Sequence, residues 1–438
     1  MIDDSVIDRI AAGDKDIPGS ILATPEQDLV ERRALEIYQR PEIARARERL
    51  LALFRADRNA LLADQEAFIS QSADEHCLHA ALIAASETPR SPGFVWTLAL
   101  PHNWLGRAVP GSRMGQENPD NIYRFASVDP GLSYRISGRF HGRPPTDFSL
   151  CSLPAQVGEG IAADVRGIIT PDTLDVDGDG RFEILVDATP TQARRNHLCI
   201  AGARVLMARD TLGDWGREGP AELHIERMDG DAVDDFDIER AAPRAAGLVT
   251  DIGKFFLTRV QHGMCEAGPL NSVPAPESSA GRGGLTTQTG AVGYYRLGQG
   301  EALVLSLDPL GARYLGVQIC DMWMLSYDYS RHTSSFNHRQ ALADGDGRIR
   351  LVIAAEDPGV HNWLDGSGNS LGSLVLRWQC VPAGADFSGA VAAEVVDIGD
   401  LPSYLPAGTR YLDRGGREAQ RAERFREYLR RVHGRPEA

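Results

Sequence analysis

One series of landmarks occurs twice in this chain, in the same order, and nothing else in the sequence limits the fold so strongly. The first series is Ser127-Val128-Asp129-Pro130, Tyr134, Asp177-Gly178-Asp179-Gly180-Arg181, Asn196-His197-Leu198 and Arg209. The second is Ser306-Leu307-Asp308-Pro309, Tyr314, Asp344-Gly345-Asp346-Gly347-Arg348, Asn362-Trp363-Leu364 and Arg377. From the turn arginine to the asparagine is 15 residues in the first and 14 in the second. The simplest account is a duplicated unit. Asp-Gly is a strong hairpin signal between strands, and it outweighs a calcium reading of the DGDGR turns, because the following ligands of an EF-hand loop are missing.

The residues around the landmarks say what the unit is made of. After the turn cluster Asn118-Pro119-Asp120-Asn121 come short β-prone runs, IYRFASV, SYRISGRF, FEILVDA, ARVLMAR and AELHIERM, separated by Gly, Pro and Asp. That pattern predicts an antiparallel sandwich or barrel. β texture resumes at Val292. Residues 1–112 read as helical, with Pro41 breaking or kinking the run, and further helices over Ala60 to Ser70 and around His76 to Ala85. Leu248, Ile252, Phe255, Phe256 and Val260 form one helical stripe in a linker over 235–291, and its later part, rich in Pro, Gly, Ser and Thr, reads as a long loop. The expected order is a helical region (1–112), a first sandwich (113–234), the linker, a second sandwich (292–400) and a helical tail (401–438). The tail should dock through Phe425, Leu429 and Val432, with its basic face solvated. The fold class is therefore α+β, mostly β, with two tandem antiparallel jelly-roll-like sandwiches.

Composition removes several functions. A net charge of -15 disfavours nucleic acid and anionic membranes as partners. The acidic N-terminus lacks the basic and apolar parts of a secretory signal, and no apolar run reaches the ~18 residues of a membrane span. These features, with six scattered cysteines, lead to the expectation of a cytoplasmic protein with reduced thiols. His76 and His79 share a helical face but have no placed partner ligand, so they read as buried structural histidines rather than metal ligands. Motifs for dinucleotide, P-loop, nucleophile-elbow and zincin chemistry are missing, so no cofactor is expected.

The second series also carries a family pattern. Met322-Trp323-Met324-Leu325-Ser326-Tyr327, Asn337-His338-Arg339, Asp346-Gly347, Asn362-Trp363-Leu364 and Leu376-Arg377-Trp378 resemble proteins carrying the domain of unknown function called DUF1214. The match covers roughly residues 300–382. It departs from the pattern at the inserted His338 and at Leu364-Asp365, where the family usually has Leu-Pro. The resemblance implies jelly-roll-like sandwiches and no particular chemistry.

The candidate site lies in the same stretch. Reading Val317 to Tyr329 as one strand puts Asp321 among Trp323, Tyr327 and Tyr329 on one face. A buried carboxyl there has a raised pKa and can act as acid or base; a chain turn that exposes it is the alternative. His332, Asn337, His338 and Arg339 follow in a polar loop, and His361 precedes Asn362-Trp363. The proposed catalytic set is Asp321, Tyr327, His332 and His338. The proposed binding set is Trp323, Tyr329, Asn337, Arg339, His361, Asn362 and Trp363, with the rings as walls for a flat substrate. Trp378 reads as core, and Arg377 either binds a carboxylate or caps the sheet edge. The expected function is a cofactor-independent lyase or hydrolase acting on a small, ring-containing compound. The alternatives are a binding module for sugars or aromatics, and an assembly role in which the helical ends form a homo-oligomer interface.

Overall fold

The computed structural model describes residues 7, 9–10, 20–62, 65–159, 164–279 and 285–434. The chain forms two compact units. One comprises Met1–Met114, Asn121–Phe255 and Leu429–Ala438, the other Gly115–Asp120 and Phe256–Tyr428. The fold is α+β, mostly β, and each unit contains a β-sandwich.

Helices come first. α1 (Pro25–Tyr38) begins at Thr24, whose side chain accepts from the Gln27 N–H. Pro41 starts α2 (Pro41–Arg55) rather than kinking it, since the first helical position has no N–H to lose. The two helices expected between Ala60 and Ala85 are instead a short 3-10 turn, Arg58–Leu61, and one helix, α3 (Glu66–Ser86), buried on nearly every side after Ser72. α4 (Ile238–Phe255) packs against α2 and α3. His76 and His79 on α3 are fully buried. Each gives Nδ1 to a carbonyl, of Ser72 (2.7 Å) and Thr97 (3.0 Å) respectively. Burial lowers both pKa values to about 4, so both rings are neutral at pH 7.

The first unit contains β1 (Val95–Trp96), β2 (His102–Trp104), β3 (Arg107–Val109), β4 (Asn121–Ser127), β5 (Tyr134–Arg139), β6 (Asp147–Leu153), β7 (Gly167–Ile169), β8 (Arg181–Asp187), β9 (His197–Cys199), β10 (Val205–Thr211) and β11 (Glu222–Arg227). The second contains β12 (Glu277–Ser278), β13 (Gln288–Arg296), β14 (Glu301–Leu307), β15 (Tyr314–Cys320), β16 (Ser335–Asn337), β17 (Ile349–Ala354), β18 (Trp363–Asp365), β19 (Leu371–Gln379) and β20 (Val391–Asp397).

Apart from the β2–β3 hairpin, the two units share one topology. The sheet β1-β4-β10-β6-β7 corresponds to β12-β13-β19-β15-β16, and β11-β5-β8-β9 corresponds to β20-β14-β17-β18. Even the parallel pair recurs, β8 with β9 and β17 with β18. β8 and β11 alternate exposed and buried residues, as one-sided sheets do. Phe148, Leu150, Ile184 and Leu206 are among the residues filling the first core.

Topology also corrects the alignment of the repeat. The later landmarks correspond: both DGDGR turns precede equivalent strands, and Asn196 and Asn362 precede β9 and β18. The early ones do not. Asp129-Pro130 follows β4, whereas Asp308-Pro309 follows β14, the equivalent of β5. Tyr134 and Tyr314 therefore lie on non-equivalent strands.

Both DGDGR turns close on themselves. Asp177 Oδ1 accepts the N–H groups of Asp179 (2.9 Å) and Arg181 (2.8 Å). In the second turn Asp344 and Asp346 are paired with Arg350, at 2.7 and 2.8 Å. The linker contains β12, which pairs with β13, and β13 begins at Gln288, ahead of the expected Val292.

The C-terminal helix, α5 (Arg414–His433), departs from expectation on its basic face. Arg417, Arg424 and Arg431 are buried, as are Leu429 and Val432. Arg417 binds Asp357 (2.9 Å), and Arg424 donates to the Tyr329 carbonyl (2.5 Å). A guanidinium tolerates burial when acceptors meet its donors; Asp357 and the Val360 carbonyl do so for Arg417, and the Tyr329 carbonyl and Ser335 Oγ for Arg424.

Candidate active site

The expected long strand ends early. β15 stops at Cys320, and Asp321 closes a tight turn, its Oδ1 accepting the N–H groups of Trp323 and Leu325, both at 2.9 Å. Met324 takes φ of 69° in that turn. The alternation that grouped Asp321 with Trp323, Tyr327 and Tyr329 therefore does not hold. Asp321 is nevertheless buried, 1% exposed, and the turn hides it rather than exposing it.

The other candidate residues fall into separate groups within the second unit. Tyr327 lies inside, its hydroxyl accepting from Asn369 Nδ2 (3.0 Å), and burial holds its pKa well above the phenol range. Trp323, Tyr327, Tyr329 and Trp363 are each at most 5% exposed. Their faces are packed, and Trp363 Nε1 donates to the Ala354 carbonyl (3.0 Å). Trp378 is fully buried, and Arg377 donates to Gln318 Oε1 (2.5 Å) and to the Gln116 carbonyl (2.6 Å).

Asn337 belongs to another interior group. Its Nδ2 donates to Asp120 Oδ1 (2.9 Å), and the Tyr314 hydroxyl donates to Asp120 Oδ2 (2.6 Å). His338 stands beside Tyr314, with Nδ1 accepting the Leu315 N–H (3.2 Å). Arg339 is exposed, and its N–H donates to Asn337 Oδ1 (2.9 Å). His361 is paired with its neighbour Asn362 (3.0 Å) and kept neutral chiefly by burial. Asn362 ties two segments together, its Oδ1 accepting from Leu342 N and its Nδ2 donating to the Leu342 carbonyl. Asn196 makes the same pair of bonds with Asp175 in the first unit. Asn362 is thus a structural clamp of the duplicated fold.

His332 is set apart from these. Its Nδ1 lies 2.7 Å from Asp365 Oδ2, at the end of β18, and Arg421 on α5 reaches the same oxygen, also at 2.7 Å. Asp365 is 3% exposed, His332 32% and Arg421 38%. Burial works to raise the Asp365 pKa, but His332, the Ser367 N–H and Arg421 together hold it below the ordinary value. The carboxylate is ionised at neutral pH and can only accept, so the proton of neutral His332 is on Nδ1. Nε2 is then a lone-pair nitrogen, with no hydrogen-bond partner among the described residues. An imidazole one-third exposed and oriented by a buried carboxylate is the arrangement of a general base.

Asp365 and Arg421 were not among the expected site residues. Asp365 was within reach of sequence reading, three residues after Asn362 in the same run. Arg421 was not, since its partner is 56 residues away. Among the described residues, no group of three or more His, Cys, Asp or Glu side chains is placed to hold a metal. No helix of the described residues is long and apolar enough to cross a membrane.

Comparison with known proteins adds fold and no chemistry. No protein-family model matches the chain, and no curated protein matches it. A solved structure of an uncharacterised protein from Burkholderia cenocepacia is similar over 90% of this chain and all of its own, with a TM-score of 0.65 and 23% identity. The VPA0106 protein from Vibrio parahaemolyticus covers 64% of this chain and 90% of its own, with a TM-score of 0.41 and 9% identity. The first likeness shows that this arrangement of strands and helices occurs elsewhere as a whole.

Proposed function

We propose that this chain is a cofactor-independent acid/base enzyme, a lyase or hydrolase, with His332 as its base. The observation that carries the reading is the 2.7 Å contact of His332 Nδ1 with a buried, ionised Asp365, which leaves Nε2 open. In a hydrolysis, Nε2 takes a proton from water as the oxygen bonds to the acyl carbon. The imidazolium then returns the proton to the leaving group as its bond to that carbon breaks. In an elimination, Nε2 removes a proton from carbon and the leaving group departs with the bonding pair. Asp365 stabilises the imidazolium in either case, and Arg421 provides positive charge for the oxyanion or the departing anion.

A small ring-containing substrate remains the proposed class, although not through the expected walls. The ring nearest in sequence to this group along α5 is Phe425, half-buried, one turn from Arg421, with the Arg331 guanidinium 4.1 Å from its centroid. The packed faces of Trp323, Tyr329 and Trp363 count against the alternative of a module with aromatic binding platforms.

The test is a pH-rate profile of wild type, His332→Ala and Asp365→Asn on a panel of aryl esters, aryl ethers and glycosides. Loss of about a hundredfold or more in both variants, with folding intact by circular dichroism, supports the reading. Turnover unchanged in His332→Ala removes this residue from the mechanism.

A further inference from the structure

Beside His332 stands a cation that the chemistry proposed for that residue leaves unused. Arg331 is exposed, and its guanidinium lies 4.1 Å from the centroid of the Phe425 ring. Among the described residues its side chain makes no ion pair and no hydrogen bond. The nearest acid in sequence, Asp328, is committed elsewhere, its Oδ1 accepting the Ser330 N–H (3.0 Å) and hydroxyl (2.5 Å). An aromatic face attracts a guanidinium but offers no oxygen to its donors. The ring therefore places Arg331 and leaves its planar fork open to the oxygens of an anion.

Two contacts fix this placement. Arg331 and His332 are consecutive, and Arg421 and Phe425 are one turn apart on α5. Arg331 meets Phe425, while His332 and Arg421 meet at Asp365 Oδ2. Loop and helix are thus joined at two points, and each point brings a guanidinium to the neighbourhood of His332.

Other arginines of α5 are spent on the fold. Arg417 binds Asp357 and the Val360 carbonyl, and Arg424 binds the Tyr329 carbonyl and Ser335 Oγ. Arg421 is spent only in part. One terminal nitrogen holds Asp365, whereas Nε is buried without an acceptor and the other terminal nitrogen has none among the described residues. Thr333, whose carbonyl accepts the Asp365 N–H (3.2 Å), also has a buried Oγ1 without a partner. Buried polar atoms are ordinarily matched, and a polar ligand or water accounts for unmatched ones. Both of these belong to residues that bind Asp365.

We infer that the substrate of the His332 site carries an anionic oxyacid group, carboxylate or phosphoryl, and that Arg331 receives it. This rests on the reading of His332 as the base. It makes Arg331 a specificity residue and leaves Arg421 to the reacting oxygen.

The test is calorimetric titration of the full chain with benzoate, phenylphosphonate and neutral benzamide. Arg331→Gln is the site variant, at an exposed position. Arg135→Gln is the control, 46% exposed and in the first unit. At least one anion should bind about tenfold or more tighter than benzamide, with that gap lost in Arg331→Gln and kept in Arg135→Gln. Which anion binds tighter tells carboxylate from phosphoryl. Anions that bind no tighter than benzamide, or a gap that persists in Arg331→Gln, overturn the inference. The two readings fail separately: turnover in His332→Ala decides the base, and the gap in Arg331→Gln decides the anion.

Discussion

Each copy of the duplicated unit has a histidine paired with an aspartate beside its parallel strand pair, and the two pairs differ in what remains open. In the first copy His197, on β9, has Nε2 3.1 Å from Asp187 Oδ1 and Nδ1 2.9 Å from Thr191 Oγ1, and its side chain is 2% exposed. Both nitrogens are used. In the second copy the position of His197 is taken by Trp363, and the position of Cys199 by Asp365, by strand register. The histidine comes instead from the loop ahead of β16, keeps one nitrogen open and is a third exposed. The same architecture thus carries a closed pair and an open one. An imidazole with both nitrogens satisfied braces a fold, and one with a lone pair facing water can take a proton.

The two units also differ in how they resist change, and the largest expected effect is in the first. Glu75 and Arg113 form a buried ion pair there, with side chains 6% and 2% exposed, and Glu75 also accepts the Arg113 N–H (2.9 Å). Removing one partner strands a buried charge, so Glu75→Ala should cost about 3–5 kcal/mol in urea unfolding. A cost below ~1 kcal/mol would mean that water enters the pair.

Acid should find the same unit. His76, His79 and His433 are held neutral, chiefly by burial, with pKa values of about 4. Their folded pKa values lie below the unfolded value of ~6.5, so below that pH the unfolded chain binds more protons. Stability is lost as pH falls from ~6.5 to about 4, by roughly 3 kcal/mol for each fully buried ring. Hydrogen exchange at pH 5 should show protection falling first in α3, before the strands of the second unit. The opposite order would contradict the contrast. Asp365 works at the other end of the scale. Its pKa is depressed, so its contribution is complete above the unfolded value of ~3.9 and lost as pH falls through the folded one.

A smaller effect separates the DGDGR turns. Gly180 and Gly347 both have positive φ, 77° and 81°. A Cβ on Gly180 would lie 2.3 Å from the Phe140 carbonyl oxygen, whereas one on Gly347 meets nothing within 4 Å. Gly347→Ala should cost about 1 kcal/mol for the left-handed backbone, and Gly180→Ala at least about twice that. Equal losses in thermal unfolding would mean that the turns are interchangeable.

What could be read from the sequence was what local chemistry decides. Asp-Gly turns, strands bounded by Gly and Pro, and the amphipathic stripe of α4 each depend on neighbours within a few residues. The failures have a shared cause in long-range partners. Asp321 looked like a strand residue because alternation cannot show that a side chain will turn back to bind the N–H groups of Trp323 and Leu325. Arg417 and Arg424 looked solvated because their acceptors lie 60 and 95 residues away. The Asp-Pro landmarks matched by composition, yet they follow strands that are not equivalent. His332 was recognisable as a candidate, but the carboxylate that gives it a function is 33 residues on.

The tautomers of two histidines test the open pair against the closed one most directly. With 15N-labelled histidine at pH 8, above the usual imidazole titration at ~6.5, long-range proton–nitrogen spectra distinguish Nδ1–H from Nε2–H. Asp187 is held ionised, like Asp365, so His197 should carry its proton on Nε2, facing that carboxylate. His332 should carry its proton on Nδ1 and show a bare Nε2, and Asp365→Asn should disturb His332 while leaving His197 unchanged. A His332 proton on Nε2, or a His332 spectrum indifferent to Asp365→Asn, would contradict the assignment of this residue as the base.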